Sequence, residues 1–327
     1  MNTAIFSIEF VLALSAAITM GFAIQRGATC TVAAVDEIVS NRTGNKLWAM
    51  LEAALWVAVG LGLALHWHWL AGLPRGYALT QWTFLGAVLL GFGSWLNNAC
   101  VFGAIARLGS GEWAYVGTPI GYYLGCLSVK TLFGVPASVA QPSDMFMQVA
   151  ANAALWPLAA LMALRLYALF GSKGQAKAGF AAGYANTFVW SPHCATIVIG
   201  FMFLVTSILV GTWAYTDILA QLVNGMRTVL PVGAFMAVAL LAGAILGGYK
   251  AGRLRWHPVS VAAIARCLLG GMVMAWGSLL IPGGNDGLIL IGMPLLWPYA
   301  WAAFLTMCLT VALALSAQAR VARWGAD

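Results

Sequence analysis

The sequence predicts an all-α integral membrane protein, with about nine transmembrane helices and four short re-entrant helices in two inverted repeats. Hydrophobic residues make up 62% of the 327-residue chain and charged residues only 8%, whereas soluble domains carry about 25% charged residues. Two short segments with one cysteine each, GATCTVAAVDEI at 27–38 and NNACVFGAIARLGSG at 97–111, follow long apolar runs. They are too short to cross a bilayer and too apolar for surface loops.

Nine apolar runs have about the 20-residue length that a bilayer crossing needs. They occupy residues 4–25, 46–70, 79–95, 112–133, 147–170, 193–211, 229–250, 260–281 and 294–317. Four segments between them are too short to cross: 27–38, 97–109, 212–225 and 283–292. Irregular backbone at membrane depth needs surrounding protein or a water-filled cavity. We therefore predict that these segments form short re-entrant helices.

The distribution of Lys and Arg tests this count, because basic residues collect on the cytoplasmic side. With nine spans, 12 fall on one side: Arg26, Arg42, Lys46, Arg107, Arg165, Lys173, Lys177, Lys250, Arg253, Arg255, Arg320 and Arg323. Three fall on the other side, namely Arg75, Lys130 and Arg227, and Arg266 lies inside a span. The C-terminus is therefore predicted to be cytoplasmic and the N-terminus outside. This asymmetry also explains the net charge of +7 without a nucleic-acid partner.

The two halves of the chain can be superimposed in sequence. In each half a span leads to a short segment, then to another span, and then to a glycine-rich stretch, LLGFGSWLNNACVFG or LLGGMVMAWGSLLIPGGNDG. Five spans separate the first helix of one half from that of the other, and an odd offset inverts the second copy. We predict a first repeat with a connecting fifth helix at 1–170, a linker at 171–192 and a second repeat at 193–327. Inverted repeats with broken helices are a common transporter plan.

These glycine-rich stretches, together with GFAIQRGATCTVAA, resemble the signature segments of the YeeE/YedE family of sulfur transporters. The resemblance implies an hourglass-shaped inner-membrane protein that imports thiosulfate, with pathway cysteines passing the ion along by S–H···S contacts. Cys30 and Cys100 are the matching thiols. The family's signatures usually end in Gly-Gly-Cys, whereas this chain has Asn98-Ala99-Cys100 and Gly283-Gly284-Asn285. The second half therefore lacks the expected thiols, and Ala214 occupies the other matching position.

The predicted substrate pathway combines these thiols with the starts of the short helices, whose free N–H groups bind anions. Its residues are Gly27, Cys30, Asn97, Asn98, Cys100, Gly283, Gly284, Asn285 and Asp286. Each has a plainer interpretation, since cysteine also packs as a small hydrophobe and Asn caps helices. Asp286 is compatible with capping or with proton coupling. Arg26 and Arg107 are candidates for anion attraction or simple topology markers, and Glu52 is a candidate for proton coupling because intramembrane carboxylates are often functional.

The sequence indicates no cofactor and no metal site, because the six cysteines form no C-x-x-C pair and no catalytic motif is present. The leading hypothesis is therefore a transporter or channel for a small sulfur-containing anion, most simply thiosulfate, with no enzymatic activity. The alternative is a membrane subunit that handles a different sulfur or selenium species together with a small cytosolic sulfur-carrier protein. A membrane enzyme is the third possibility that product analysis would expose.

Overall fold

The computed structural model describes residues 7–70, 72–134, 140–141, 144–151, 155–171, 190–224 and 230–324. These residues are predominantly helical, as the sequence predicts. The strands that they contain are Gly76–Tyr77 and Ala140–Gln141, which pair antiparallel over two residues. The predicted linker at 171–192 lies largely outside the described residues.

The first half contains six helices, and two more lead toward the second half. Their bounds are α1 Ile8–Gly27, α2 Thr31–Asn41, α3 Asn45–His66, α4 Gln81–Asn97, α5 Val101–Gly109, α6 Gly117–Leu132, α7 Asp144–Ala151 and α8 Leu155–Gly171. The second half contains α9 Pro192–Val210, α10 Tyr215–Asn224, α11 Leu230–Lys250, α12 Val261–Leu280, α13 Asn285–Gly287 and α14 Pro298–Trp324. A π-helical turn, Leu288–Gly292, directly continues α13. Short helices thus lie at all four positions where the sequence predicts short segments.

Seven helical stretches in the described part of the chain are long and apolar enough to cross a membrane. They are Ile8–Asn41, Asn45–His66, Gln81–Gly109, Pro192–Val210, Pro231–Lys250, Val261–Leu280 and Pro298–Arg323. The protein is therefore a multi-pass membrane protein. At the fourth and fifth predicted spans the helices α6 and α8 have 16 and 17 residues, slightly short of a full crossing. The count of nine spans stays a prediction.

Two of the long stretches are interrupted in the same way. Ala28 after α1 and Asn98 after α4 adopt left-handed backbone conformations, with φ of 47° and 57°. Each turns the chain, and a new short helix begins after a cysteine two residues later. The break therefore places Cys30 and Cys100 at equivalent N-cap positions, immediately before α2 and α5.

The packing between the two halves is symmetric under their exchange. Matching the halves pairs α1 with α9, α3 with α11, α4 with α12, and α6 with α14. Under this matching the α1–α11 contact corresponds to the α9–α3 contact, and the α6–α12 contact corresponds to the α14–α4 contact. The remaining large contacts, α1–α9 and α4–α12, map onto themselves. This pattern is the one that two repeats would give, although the boundaries of the repeats remain a prediction.

Glycine allows the central α4–α12 crossing to be close. A Cβ on Gly86 would lie 2.6 Å from the carbonyl oxygen of Gly277, and a Cβ on Gly277 would lie 2.4 Å from the carbonyl oxygen of Gly86. The two backbones are thus in direct contact, which is how small residues pack membrane helices. This crossing holds the short helices α5 and α13, which follow α4 and α12, near the centre of the molecule.

Candidate functional site

The two N-cap cysteines are hydrogen-bonded to each other's segment. The backbone N–H of Thr31 donates to Sγ of Cys100 at 3.2 Å, and the backbone N–H of Cys100 donates to Sγ of Cys30 at 3.4 Å. The first N–H groups of a helix have no partner inside it, so each thiol accepts a hydrogen bond from the start of the other segment. Both cysteines are buried. The result is a compact site in which two sulfur atoms and two helix N-termini meet.

Gly103, which the sequence analysis did not single out, makes room for this pair. A Cβ at Gly103 would lie 2.4 Å from Sγ of Cys30 and 2.9 Å from its Cβ. Such distances are far below van der Waals contact, so only glycine allows α5 to approach the thiol this closely. The sequence feature that could have identified it is a glycine three residues after Cys100.

In the second half a carboxylate, on the residue after Asn285, accepts hydrogen bonds from the start of α10. The backbone N–H of Thr216, in the first turn of α10, donates to Oδ2 of Asp286 at 3.0 Å, and the Thr216 hydroxyl donates to Oδ1 at 2.5 Å. Both residues are buried. A Cβ on Gly284 would lie 2.3 Å from Oγ1 of Thr216, so glycine is required for this approach. The first half thus presents soft sulfur acceptors, and the second half presents carboxyl oxygens.

Asn285 connects the thiol pair of the first half with the Thr216–Asp286 contact of the second half. We call these two clusters the half-sites. Its Nδ2 donates to Oγ1 of Thr31 at 3.5 Å, and both side chains are fully buried. Its Oδ1 has no hydrogen-bond partner among the described residues. A buried polar atom without a partner is uncommon, so this oxygen is available to a donor that the protein itself does not supply.

An open cavity of about 380 Å³ reaches the second-half segment. Gly283 and Gly287 lie on its wall, on either side of Asn285 and Asp286. The polar side chains on its wall include Arg75, Tyr77, Tyr122, Asp217, Gln221, Ser278 and Tyr299. Burial, and secondarily the Asp286 carboxylate, raise the pKa of Asp217 to about 7. The cavity can therefore bring a small hydrated ion close to Asn285.

Asn97 and Asn98 lie beside the thiol pair but in different environments. Asn97 is fully buried, donating from Nδ2 to the Ala99 carbonyl at 2.8 Å and accepting from the Thr118 hydroxyl at 3.0 Å. Asn98 is exposed. In the amide orientation that satisfies both atoms, it accepts from Nη1 of Arg266 at 2.8 Å. Asn97 therefore holds the turn before Cys100, and Asn98 faces away from the buried pair.

The remaining candidates surround this centre. A Cβ on Gly27 would lie 2.2 Å from the Cβ of Ala195, so this glycine allows α1 and α9 to pack closely. Arg26 is buried, with its guanidinium 5.7 Å from the centre of the Phe22 ring. Arg107 forms a 3.0 Å ion pair with Glu112 and lies 5.2 Å from the centre of the Tyr115 ring.

Glu52 lies away from the thiols, in an ion-pair cluster. Its Oε1 is 3.1 Å from Nε of Arg165 on α8, and its Oε2 is 2.5 Å from Nδ1 of His193 on α9. These contacts connect α3 to two other helices. The structure therefore places Glu52 inside the protein with polar partners, apart from the thiol pair and the cavity.

Within the described ranges, no three His, Cys, Asp or Glu side chains come together in a way that could hold a metal ion. The arrangement instead offers backbone N–H groups, thiols, hydroxyls and one amide, beside the carboxyl groups of Asp217 and Asp286. Such groups bind a small anion reversibly, because none of them is a fixed positive charge that would trap it.

Comparison with known proteins gives two findings. Residues 26–313 match the sequence model of the family described as sulphur transport. The chain is also 23% identical over 319 residues to the thiosulfate transporter TsuA of Escherichia coli (strain K12), an alignment that covers 89% of this chain and 90% of that protein. The family match extends over the two half-sites.

Proposed function

Because this chain belongs to the sulphur transport family, we propose that it imports a small sulfur-containing anion, with thiosulfate as the substrate, across a bacterial inner membrane. One observation carries the proposal. Two thiols and two helix N-termini that belong to separate segments meet in one buried site, as the Cys30–Cys100 and Thr31–Cys100 hydrogen bonds describe. The distant similarity to a thiosulfate transporter supports the choice of thiosulfate.

The chemistry of the site suits this ion. Thiosulfate has one soft, polarizable terminal sulfur and three oxygens that accept hydrogen bonds. Thiols are weak donors and soft contacts, so Cys30 and Cys100 hold the terminal sulfur without binding it tightly. On entering, the anion replaces the thiol sulfurs as the acceptor for the N–H groups of Thr31 and Cys100. The protein's own hydrogen bonds reform once the anion leaves.

The direction of transport follows from the placement of the half-sites. In the predicted orientation the cavity beside Gly283 and Gly287 opens to the outside, and the thiol pair lies on the cytoplasmic side. The anion would enter past Asn285, which contacts Thr31, and then reach the thiols. Gly27, Asn97, Asn98 and Gly284 shape the turns around this path, and Arg26 and Arg107 lie toward its cytoplasmic end.

A second candidate function has one specific observation in its favour. Asn285 and Asp286 replace the sulfur chemistry expected in the second half, and a carboxylate disfavours a dianion. A different sulfur or selenium species, delivered onward to a small cytosolic sulfur-carrier protein, would fit that difference. Uptake of labelled thiosulfate by cells with and without such a carrier, compared with sulfate and selenite, separates the two functions.

The thiols themselves provide the sharpest test. Cys30→Ser and Cys100→Ser each keep a hydroxyl but remove the soft sulfur. We expect each to reduce thiosulfate uptake about tenfold, because a serine oxygen holds the N–H groups of Thr31 and Cys100 more firmly than sulfur does and offers the terminal sulfur no soft contact. The measurement is uptake of ³⁵S-thiosulfate at matched membrane expression.

Cys126→Ser is the matched control, because Cys126 is equally buried but lies in the middle of α6. Its uptake should equal that of the unmodified protein. Full uptake by both the Cys30 and Cys100 variants would reduce these thiols to packing residues and remove the main support for the proposal.

A further inference from the structure

Two carboxylates lie on the path from the cavity to the thiol pair that the proposed function requires. Asp217 lies on the cavity wall, and Asp286 is buried just behind that wall, between the lining residues Gly283 and Gly287. The ion pairs within the described ranges are Arg107–Glu112, Arg165–Glu52 and His193–Glu52, and none includes Asp217 or Asp286. An incoming anion therefore meets negative charge at the place where the pathway should attract it.

The Asp286 carboxylate also occupies the donors that the anion needs. Both of its oxygens accept hydrogen bonds from Thr216, one of them from the backbone N–H at the start of α10. In the first half the equivalent N–H groups face neutral sulfur, which an anion can displace. In the second half they face a tethered anion, and like charges repel strongly in surroundings of low dielectric constant.

Most of the other groups around the pair carry no positive charge. They are Tyr215 on α10, Tyr122 on α6, Tyr299 on α14, Tyr77 and Arg75 on the cavity wall, and, beyond Asn285 and Thr31, the thiol of Cys100. Lys130 on α6 donates to the Val223 carbonyl at 2.5 Å, and Glu52 on α3 is paired with Arg165 and His193. Arg75 thus supplies the one positive charge among the described lining residues of the cavity.

We propose that Asp217 and Asp286 make anion entry depend on protons, so that each anion is imported together with at least one proton taken from the outer side. The inference rests on the proposed function. Protonation removes the negative charge at the inner end of the cavity. It also weakens the hydrogen bonds that Asp286 accepts from Thr216. The released N–H and hydroxyl then bind the anion, and the proton continues to the cytoplasmic side with it.

Two further observations favour a proton. The fully buried Oδ1 of Asn285 has no partner among the described residues. Thiosulfate offers only acceptors, whereas a protonated carboxyl group supplies a donor from which this oxygen can accept. In addition, burial raises the pKa of Asp217 to about 7 and raises that of Asp286. Asp217 therefore changes its protonation state near neutral pH, and burial favours the neutral form of both carboxyl groups.

The experiment uses the purified full-length protein in liposomes, with ³⁵S-thiosulfate outside and a pH-sensitive dye trapped inside. Thiosulfate addition should acidify the lumen. A group with a pKa of about 7 is about nine-tenths protonated at pH 6 and about one-tenth at pH 8, so we expect uptake to fall about ninefold over that range. Thiosulfate itself stays a dianion throughout and cannot cause the change.

Asp217→Asn and Asp286→Asn replace each carboxyl with a neutral amide. We expect either variant to flatten the pH profile and to lose thiosulfate-dependent proton entry. Asp36→Asn is the control, because Asp36 is an exposed acid on α2 that accepts a hydrogen bond from Ser40 in the same helix, and it should behave like the unmodified protein. Thiosulfate uptake with a flat pH profile and no proton entry in the unmodified protein would overturn this inference alone. No thiosulfate uptake under any gradient would overturn the proposed function as well.

Discussion

At Cys30 and Cys100 a thiol replaces the oxygen that usually caps a helix N-terminus. Ser, Thr, Asp and Asn are preferred there because their oxygens hold an N–H group firmly. Sulfur is a weaker acceptor, so the N–H groups of Thr31 and Cys100 are satisfied but easily given up to an anion. A permanent oxygen cap, such as the one that Asp286 forms with Thr216, would compete with the substrate.

The spacing of the thiol pair depends on Gly103. Gly103→Ala would place a methyl group 2.4 Å from Sγ of Cys30, which pushes the two short helices apart. We expect uptake of thiosulfate to fall at least about tenfold while the protein remains folded, because overpacking typically costs about 1–3 kcal/mol and affects the site directly.

Gly44→Ala serves as the comparison for that substitution, since its nearest atom beyond the chain neighbours would be 3.7 Å away. The Gly44→Ala variant should take up thiosulfate at the rate of the unmodified protein. Equal uptake by the Gly103 and Gly44 variants would show that the close approach of α5 to the thiol has no role in transport.

Sequence alone singled out Cys30, Cys100 and Asn285 from matching segments of the two halves, and Asp286 as the neighbour of Asn285, and their roles remain predictions. It did not identify Thr31 or Thr216. These two residues donate hydrogen bonds between segments that are about 70 positions apart in sequence, namely the Thr31–Cys100 and Thr216–Asp286 contacts. The contacts form because the two segments of each pair pack together in one register. Composition and spacing do not encode that register, which the close packing of α4 on α12 sets.

At the scale of elements, hydropathy predicted the long helices because every backbone polar group in lipid must be bonded within its own helix. The short helices were predicted from their length and their glycines. The turns between long and short helices were less predictable, since Ala28 and Asn98 adopt positive φ without being glycine. Such backbone costs about 1–2 kcal/mol in a non-glycine residue, and the surrounding packing must stabilise it.

The Glu52 cluster connects three elements, and its role can be separated from proton coupling. Glu52→Gln removes the charge that pairs with Arg165 and His193. We expect a lower melting temperature in detergent, because losing hydrogen bonds to a charged partner costs about 1.5–3 kcal/mol, with thiosulfate uptake kept in proportion to folded protein.

Arg165→Gln breaks the same cluster from the other side and should reduce the melting temperature in the same direction, by less because its side chain is 45% exposed. If Glu52→Gln abolished uptake at unchanged melting temperature, and Arg165→Gln did not, Glu52 would belong to the transport mechanism instead of to the packing of α3.

At the scale of the whole molecule, the basic residues separate into two neighbourhoods. The backbone N–H of Arg255 donates to the Ser110 carbonyl at 3.3 Å, and Ser110 in turn accepts from the side chain of Gln25 at 3.2 Å. The residues before Arg26, after Arg107 and around Arg255 therefore meet on one face. Arg75 lies on the wall of the cavity, and Lys130 contacts α10, so these two basic residues belong to the opposite region.

This separation leads to a prediction about orientation. Because Lys and Arg near short loops are retained in the cytoplasm, the face with Arg26, Arg107 and Arg255 should be cytoplasmic and the cavity should open outward. Nine spans then place the N-terminus outside and the C-terminus inside.

An alkaline phosphatase fusion, which is active only outside the cytoplasm, should be active at the N-terminus and inactive at the C-terminus. A fluorescent reporter that folds only in the cytoplasm should give the reverse result. Cytoplasmic reporter activity at both ends would require an even number of spans. The helices α6 and α8, which are shorter than the seven clear spans, would then be the first to be reassigned.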